Sequence, residues 1–356
     1  MKIDVSIISS GHHVADARLH RLAAALHRCG MSVEVIARGE TFEAPPEARF
    51  RAAFGNTGMF SRVIRALTLP FLARGEVIIA IDPDLSLPLL IAGNVRHKKV
   101  ACDVHEDYVS LLRDRSWAKG LVGVVARKIA RDAIKIAAEA DLTIVADEHV
   151  PPLDAKNRIV VRNLPDFTII QPTVSFDEAP RAVYIGDVRK SRGLHAMLAA
   201  IESAPHWRLD IVGPIAVADQ PFVDGWLATS PAKDRVHFYG RCAPIESWRI
   251  ARGAWVGLSI LDATPAFLEA VPSKIYEYAA AGLGIISSPL PRVSVILEGR
   301  AAFATTAGEI ASALEGWSSR PQEWQRAREA SSKIVESGDP YLPFAERIRA
   351  LLSPRR

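Results

Sequence analysis

The segment EAVPSKIYEYAAAGLGIISS at residues 269–288 decides the fold. Pro272 suits the first turn of a helix and Gly282 suits its end, and the apolar run 284–288 that follows has the character of a buried strand. A helix that leads directly into such a strand is typical of a parallel sheet covered by helices. The segment therefore predicts an α/β fold in which this helix opens at the carboxyl edge of the sheet.

Two series of short β-branched runs alternate with helical patterns along the chain, which predicts two such sheets. The first series has strands at 3–8, 33–37, 77–81, 99–103 and 142–146, and the second at 182–185, 208–212, 236–239, 257–260 and 284–288. Three prolines, Pro165, Pro172 and Pro180, indicate a connector between them. We therefore expect two doubly wound Rossmann-like domains at residues 1–165 and 166–335, with a final helix at 336–356 that returns to the first domain.

The composition excludes several classes of protein. Three scattered cysteines among 356 residues are too few for a disulfide framework or a zinc site, which favours the cytoplasm. The start, MKIDVSIISS, is typical of a first strand and not of a signal peptide. The most apolar stretch, 77–92, is interrupted by Asp82 and Asp84, so any membrane contact should be peripheral. A net charge of +4 with 7% aromatic residues argues against a nucleic-acid partner.

The amino terminus of the helix near Pro272 is a candidate anion site. Unpaired N–H groups and the positive end of the helix dipole can hold a diphosphate without a metal ion. We expect Ser273, Lys274 and Ile275 to lie there, and Glu277, about one turn further, to reach a ribose hydroxyl pair. The alternative is that Glu277 and Glu269 are ordinary surface glutamates of an amphipathic helix.

Two glutamates with seven residues between them, followed by Tyr-Ala-Ala-Ala-Gly and an apolar strand, resemble retaining glycosyltransferases of family four. The resemblance extends over nearly the whole chain. It implies the α/β GT-B fold, in which two doubly wound Rossmann-like domains face each other across a cleft. It also implies a nucleotide-sugar donor, such as a UDP- or GDP-sugar, and retention of configuration, with neither cofactor nor metal. In that family the second glutamate binds the donor ribose and the first contacts the transferred sugar, which assigns these roles to Glu277 and Glu269.

Two further segments of the second half resemble the family's donor site. In AVYIGDVRKSRGL at 182–194, Gly186 allows close approach to a phosphate, and Arg192 stands where the family has a diphosphate-binding cation. Asp187 departs from the pattern, because many relatives carry Arg there. The second phosphate cation is therefore open among Arg189, Lys190 and Lys274. Gly240, after the run VHFY, resembles the turn whose backbone contacts the nucleotide base.

In the first half, SSGHHVADARL at 9–19 has one glycine where a dinucleotide site needs three, which excludes a hydride-transferring dehydrogenase. The segment resembles the opening of family-four acceptor domains. The resemblance places Gly11 near the donor diphosphate, and His12, Asp16 and Arg18 on the acceptor side. Alternatively, Asp16 and Arg18 form only a local helix start.

The segment DVHEDY at 103–108 directly follows an apolar strand. It resembles a subset of these transferases that acts on surface polysaccharides and related glycans. His105 is the candidate for contacting the transferred sugar, while Glu106 and Asp107 orient its ring or meet the acceptor hydroxyl. The acidic groups also suggest a metal site, but no second histidine stands at ligand spacing, so we predict none.

Residues 113–135 carry seven basic against two acidic side chains, together with Trp117 and an apolar core. Such a segment is typical of a helix at a membrane surface, and 59–74 has a similar character. The alternative is a core helix with a solvated charged face. We therefore expect a transferase that acts on a glycan or lipid-linked acceptor, and these segments lead to the hypothesis that it works at the inner face of the membrane. A GT-B nucleotide-sugar epimerase and a non-catalytic nucleotide-sugar-binding protein remain the rival interpretations.

Overall fold

The computed structural model describes residues 2–55, 58–113, 118, 120–268, 270–335 and 339–352. The chain divides into two compact units. Unit 1 comprises residues 1–163 with 339–356, and unit 2 comprises residues 164–338. Among the described residues, no helix combines the length and apolar character that crossing a membrane requires.

Unit 1 is built on a seven-stranded parallel sheet with the order β3-β2-β1-β4-β5-β6-β7. Its strands are β1 (Val5–His13), β2 (Val33–Arg38), β3 (Ala48–Ala52), β4 (Val77–Ala80), β5 (Lys99–Val104), β6 (Leu142–Val145) and β7 (Arg158–Val160). Its first five helices are α1 (Ala17–Arg28), α2 (Met59–Leu72), α3 (Ser86–Arg96), α4 (Tyr108–Arg113) and α5 (Gly120–Ala137). The central strands are apolar on both faces, because helices cover the sheet on both sides.

Unit 2 repeats the plan with a six-stranded parallel sheet in the order β10-β9-β8-β11-β12-β13. Its strands are β8 (Arg181–Ile185), β9 (Arg208–Val212), β10 (Val236–Gly240), β11 (Val256–Ser259), β12 (Gly284–Ser287) and β13 (Ala302–Phe303). Its helices are α6 (Leu194–Ser203), α7 (Gln220–Thr229), α8 (Pro244–Ala251), α9 (Pro265–Leu268), α10 (Ser273–Ala280), α11 (Pro291–Ile296), α12 (Ala307–Ser319) and α13 (Pro321–Ser332). Both sheets have the Rossmann strand order, in which ligands bind at the carboxyl ends of the strands.

The last helix, α14 (Leu342–Leu352), belongs to unit 1. Its apolar residues Phe344 and Ile348 are fully buried in the core that also contains Leu22 and Leu26 of α1. The amino end of this segment is tied to α1 by an ion pair of 2.9 Å between Arg28 Nη2 and Asp339 Oδ2. Unit 1 is therefore assembled from two separate parts of the chain.

Tyr278 fixes the position of α10 on the second sheet. Its hydroxyl accepts a hydrogen bond from Ile185 N (3.1 Å) and donates one to Leu258 O (3.2 Å). Its ring lies against Gly257, where an added Cβ would come within 2.2 Å of the ring carbons. The helix is thus locked to β8 and β11, and its amino terminus is held at the edge where those strands end.

Candidate functional site

Three glycine turns follow neighbouring strands of unit 2. Gly186 directly follows β8, Gly213 directly follows β9, and Gly240 is the last residue of β10. The φ angles of the three are positive, at 140°, 145° and 67°. Gly186 N donates to Val212 O (2.9 Å), and Gly213 N donates to Gly240 O (2.7 Å). A Cβ on Gly213 would lie 1.9 Å from Gly186 O, so the turns pack backbone against backbone. These three positions therefore contribute no side chain of their own to this edge of the sheet.

Ser273 and Lys274 are the first two residues of α10 and lie in its first turn. Pro272 precedes the helix with an extended backbone, and no side chain caps it. The backbone N–H of Ile275 donates to Pro272 O at 3.0 Å, and its side chain is fully buried in the core of unit 2. The N–H of Ile275 is thus engaged within the helix and its side chain within the core. Ser273 and Lys274 are the residues that lie at the amino terminus of the helix.

Lys274 has the most unusual environment in unit 2. Its side chain is 7% exposed, and its Nζ has no hydrogen-bond partner among the residues that the structure describes. The Nζ lies 3.9 Å from the centre of the Tyr184 ring, and a Cβ on Gly186 would come within 3.2 Å of it. Burial, and then the Arg192 guanidinium, lower the pKa of Lys274 to about 7 against the opposing effects of Glu277 and Asp187. A buried amine without a partner, next to a glycine turn, suits an incoming anion.

The other basic candidates of the glycine loop differ in their surroundings. Arg192 is half-buried in a short 3₁₀ turn, with its Cζ 5.9 Å from the centre of the Phe267 ring. Arg189 pairs with Asp187 at 3.1 Å, and Lys190 is exposed. Of the three candidates for the second cation, Lys274 is the one whose charged group is buried with no hydrogen-bond partner in the described part of the chain.

Glu277 lies one turn below Ser273. It is 8% exposed, and its Oε2 accepts a hydrogen bond from Ser273 Oγ at 3.4 Å. This burial argues against the alternative of an ordinary surface glutamate. The other predicted glutamate, Glu269, lies outside the described residues.

Asp82, which directly follows the β4 strand region, organises the end of β1 in unit 1. Its Oδ2 accepts hydrogen bonds from Ser9 Oγ (2.5 Å), Ser10 N (2.9 Å) and Gly11 N (3.2 Å). Its Oδ1 lies 2.9 Å from His12 Nδ1. One carboxylate therefore holds the whole turn on which Gly11 and His12 stand.

The same contact makes His12 a cation. Burial alone would lower the pKa of His12, but the charge of Asp82 raises it to about 10. In turn, although burial alone would raise the pKa of Asp82, His12 and then Arg62 hold it well below its usual range. The Nη2 of Arg62 lies 3.4 Å from Asp82 Oδ1. The group is therefore an ion pair at neutral pH, with a second cation close by.

His105, which follows β5, lies against His12. Their ring centroids are 5.1 Å apart in an edge-to-face arrangement, and the Tyr108 ring lies edge to face with His105 at 5.9 Å. The Nδ1 of His105 is 3.8 Å from Asp103 Oδ2. Burial lowers the pKa of His105, and the charge of His12 lowers it further while Asp103 opposes the shift. His105 is therefore a neutral imidazole beside a charged one.

Arg18 and Asp16 are engaged within unit 1. The buried Arg18 makes two hydrogen bonds of 2.6 Å to Asp103, and others to Val161 O (2.9 Å) and Asn163 Oδ1 (2.8 Å). Asp16 caps α1 by accepting from the backbone N–H groups of Arg18 and Leu19. The Asp16 cap agrees with the alternative of a local helix start, whereas Arg18 makes long-range contacts with β5 and with residues 161 and 163.

Glu106 and Asp107 occupy different environments. Glu106 is exposed, whereas Asp107 accepts hydrogen bonds from Val109 N, Ser110 N and Ser110 Oγ at the start of α4. No group of three or more His, Cys, Asp or Glu side chains in the described part of the chain is arranged to hold a metal ion.

Two residues that organise these turns, Asp82 and Gly213, are not among the site residues that the sequence predicts. Asp82 appears in the sequence only as a charge that interrupts an apolar stretch, and Gly213 stands in no recognised motif. The same signal could have found both residues. Asp82 is an acidic residue and Gly213 a turn-forming one, and each comes directly after a short apolar run, where the carboxyl edge of a parallel sheet is expected.

Comparison with known proteins agrees with this architecture. Residues 189–350 match a family model described as glycosyl transferase-like. Sucrose-phosphate synthase from Thermosynechococcus elongatus superposes with a TM-score of 0.70 at 15% identity, over 98% of each chain. HepE from Anabaena, in complex with UDP and glucose, superposes with a TM-score of 0.67 at 14% identity, over 98% of this chain and 100% of HepE. A glycosyltransferase from Rickettsia africae gives 0.64 at 11% identity, over the full length of both chains.

No curated protein sequence matches the chain significantly. At such low identities the structural likeness shows the fold alone, and it confirms the predicted α/β class with two Rossmann-like sheets. The match to the glycosyl transferase-like model covers most of unit 2.

Proposed function

We propose that this chain transfers a sugar from a nucleotide-sugar donor to a glycan or lipid-linked acceptor, with retention of configuration. The observation that carries the proposal is the Lys274 amine, which is buried without a hydrogen-bond partner between a glycine turn and the start of α10. An anion with more than one negative charge at this position would supply the missing partner.

The donor diphosphate would be held from two directions. The amino terminus of α10 contributes N–H groups and the positive end of its dipole, and Lys274 and Arg192 contribute full charges. Glu277 would bind the ribose hydroxyls and Glu269 the transferred sugar, as the family resemblance implies. HepE has been solved with UDP and with UDP-glucose, which favours a uridine diphosphate sugar as the first donor to test.

The same groups would drive the reaction. Negative charge develops on the leaving diphosphate, and fixed cations aimed at that position stabilise the transition state. In a front-face mechanism the leaving phosphate itself accepts the proton of the acceptor hydroxyl, so no strong side-chain base is needed. The family resemblance implies that His105 would contact the transferred sugar and that Gly11 would lie near the diphosphate.

Thermal stabilisation by nucleoside diphosphates tests the proposal directly. We expect one of UDP, GDP, ADP and dTDP to raise the melting temperature, since a ligand at 100 times its dissociation constant adds about 2.7 kcal/mol of stability. Lys274→Met should abolish the shift, whereas Lys190→Met, the matched control at an exposed lysine, should retain it. Absence of any shift with all four nucleotides would refute the proposed donor site.

Turnover then distinguishes transfer from the rival activity. We expect the sugar to be released from the nucleotide only when an acceptor is present. Formation of an isomeric nucleotide sugar from donor alone would identify an epimerase instead, and nucleotide binding without turnover of any donor would indicate a binding protein.

A further inference from the structure

Three helices of unit 1, α2, α3 and α5, form one layer over the same face of the sheet. Ala66 and Leu69 of α2, Leu89 of α3 and Ile134 of α5 are buried in a single core cluster. Helix α3 contacts both α2 and α5. The inner faces of these helices are therefore fully used by the fold.

The outer faces of the same helices are also apolar. On α2, an exposed stripe at helical spacing contains Phe60, Val63, Leu67 and Phe71; on α3 it contains Leu87, Ile91 and Val95; on α5 it contains Leu121, Val122, Val125 and Ile129. Phe60 is 79% exposed and Leu121 is 85% exposed. We call these eleven residues the apolar face. Single exposed apolar residues are normal, but stripes on three adjacent helices mark an interaction surface.

The helices that carry the apolar face are rich in basic residues. Helices α2, α3 and α5 contain one acidic residue, Asp132, against seven basic ones: Arg62, Arg65, Arg96, Arg127, Lys128, Arg131 and Lys135. Of these, Arg65 is buried and Arg62 pairs with Asp84 at 2.8 Å. Three of the basic residues, Lys128, Arg131 and Lys135, are exposed on the side of α5 that adjoins its apolar stripe. Long basic side chains at that position can reach anionic groups while their stems lie on apolar surface. Residues 114–117, which include Trp117, and residue 119 lie outside the described residues.

We propose that the apolar face of unit 1 binds the surface of an anionic lipid bilayer. The apolar stripes would enter the boundary between headgroups and acyl chains, and the basic side of α5 would meet the lipid phosphates. A second copy of this chain is a poorer occupant, because a twofold interface brings the same patch of both subunits together and so offers no anionic partner to the basic residues of α5. The proposal depends on unit 1 alone and does not rest on the sugar-transfer function.

Co-sedimentation of the full chain with lipid vesicles tests the proposal. We expect the chain to sediment with vesicles of phosphatidylglycerol and phosphatidylcholine at low salt, and to bind pure phosphatidylcholine vesicles roughly tenfold or more weakly. The combined change Leu121→Ser, Val125→Ser and Ile129→Ser should reduce sedimentation at least tenfold. The matched control changes three exposed valines of unit 2: Val174→Ser, Val217→Ser and Val295→Ser.

A second set of variants tests the charges independently, in case the first set does not fold. The combined change Lys128→Glu, Arg131→Glu and Lys135→Glu should abolish binding to anionic vesicles. The same reversal at Lys233, Arg326 and Lys333, which are exposed in unit 2, should leave it unchanged.

Three results would overturn the proposal. The wild-type chain could remain in the supernatant with both kinds of vesicle at low salt. Folded variants of both sets could sediment as the wild type does. Finally, light scattering could show a wild-type dimer that the Leu121, Val125 and Ile129 changes convert to a monomer, without lipid binding by either, which would assign the apolar face to self-association.

Discussion

His12 and His105 lie edge to face with ring centroids 5.1 Å apart, yet their pKa values are shifted in opposite directions. The difference has a local cause. Asp82 lies 2.9 Å from His12 Nδ1, whereas the nearest carboxylate oxygen recorded for His105, on Asp103, is 3.8 Å away and is already engaged by Arg18. The end of β1 therefore carries a positive ring and the end of β5 carries a neutral one.

This pair should be visible by NMR as two separate titrations. We expect His12 to titrate near pH 10 and His105 below the ordinary 6.5, and Asp82→Asn should bring the pKa of His12 down steeply. Because the pKa of His12 is raised in the folded state, its stabilising contribution is fully present below pH 6.5 and is lost as the pH rises toward 10. Melting temperatures of the wild type should fall over that interval more than those of Asp82→Asn. Equal titration midpoints for the two histidines would contradict this account.

Lys274 should couple nucleotide binding to proton uptake. Its pKa of about 7 leaves most of the amine neutral at pH 8, and a bound diphosphate would raise the pKa by favouring the charged form. Calorimetry at pH 8 in two buffers of different ionisation enthalpy should show uptake of up to one proton, and affinity should fall as the pH rises above 7. Lys274→Met should remove the proton uptake. Identical heats in both buffers for the wild type would mean that Lys274 keeps its protonation state on binding.

Glu277→Ala should weaken nucleoside diphosphate binding without unfolding the chain. The loss of a hydrogen bond to a charged group is worth about 1.5 to 3 kcal/mol. Titration calorimetry measures the affinity, and circular dichroism checks the fold. Glu246→Ala is a suitable control, because Glu246 pairs with Arg249 at the surface of the same unit. Unchanged affinity in Glu277→Ala would remove this residue from the donor site.

Activity should survive a chelator. The charge on the diphosphate would be met by Lys274, Arg192 and a helix terminus instead of a divalent ion. Transfer rates with and without EDTA measure this. Loss of turnover in EDTA, with recovery on addition of magnesium or manganese, would show that a metal ion takes part.

Gly213→Ala should be strongly destabilising. The backbone has φ of 145°, and the added Cβ would lie 1.9 Å from Gly186 O. We expect a loss of about 3 kcal/mol or more in the free energy of unfolding, measured by urea denaturation. Gly225→Ala in α7 is the control, because nothing lies within 4 Å of the added atom. A helix-interior alanine there should be neutral or stabilising by up to about 1 kcal/mol.

The sequence predicted those parts of the fold that depend on local pattern. The five inner strands of unit 1 are largely apolar, and the sequence predicts them. It does not predict β3, with the sequence ARFRA, because the two arginines of this edge strand interrupt the apolar pattern. Short β7 and β13 were missed in the same way, since strands of three and two residues carry almost no periodic signal.

The candidate sites show where local pattern is insufficient. The contact of Asp82 with the turn at Gly11 joins residues 71 positions apart, and it exists because β1 and β4 are neighbours in the sheet. Lys274 likewise differs from the other two candidates, Arg189 and Lys190, because its amine is buried without a hydrogen-bond partner among the described residues, and burial is a property of the assembled fold. Pattern alone could name these three cations but could not rank them.

The division of unit 1 into two parts of the chain has a consequence for its synthesis. Residues 2–163 emerge from the ribosome first, yet the core between α1 and the sheet is completed by Phe344 and Ile348 of α14. Until those residues emerge, the apolar side of α1 cannot pack against α14. Unit 2 is continuous in sequence, so its whole chain has been synthesised by then. Unit 2 therefore has its complete chain before α14 emerges, whereas unit 1 depends on α14 for its final packing.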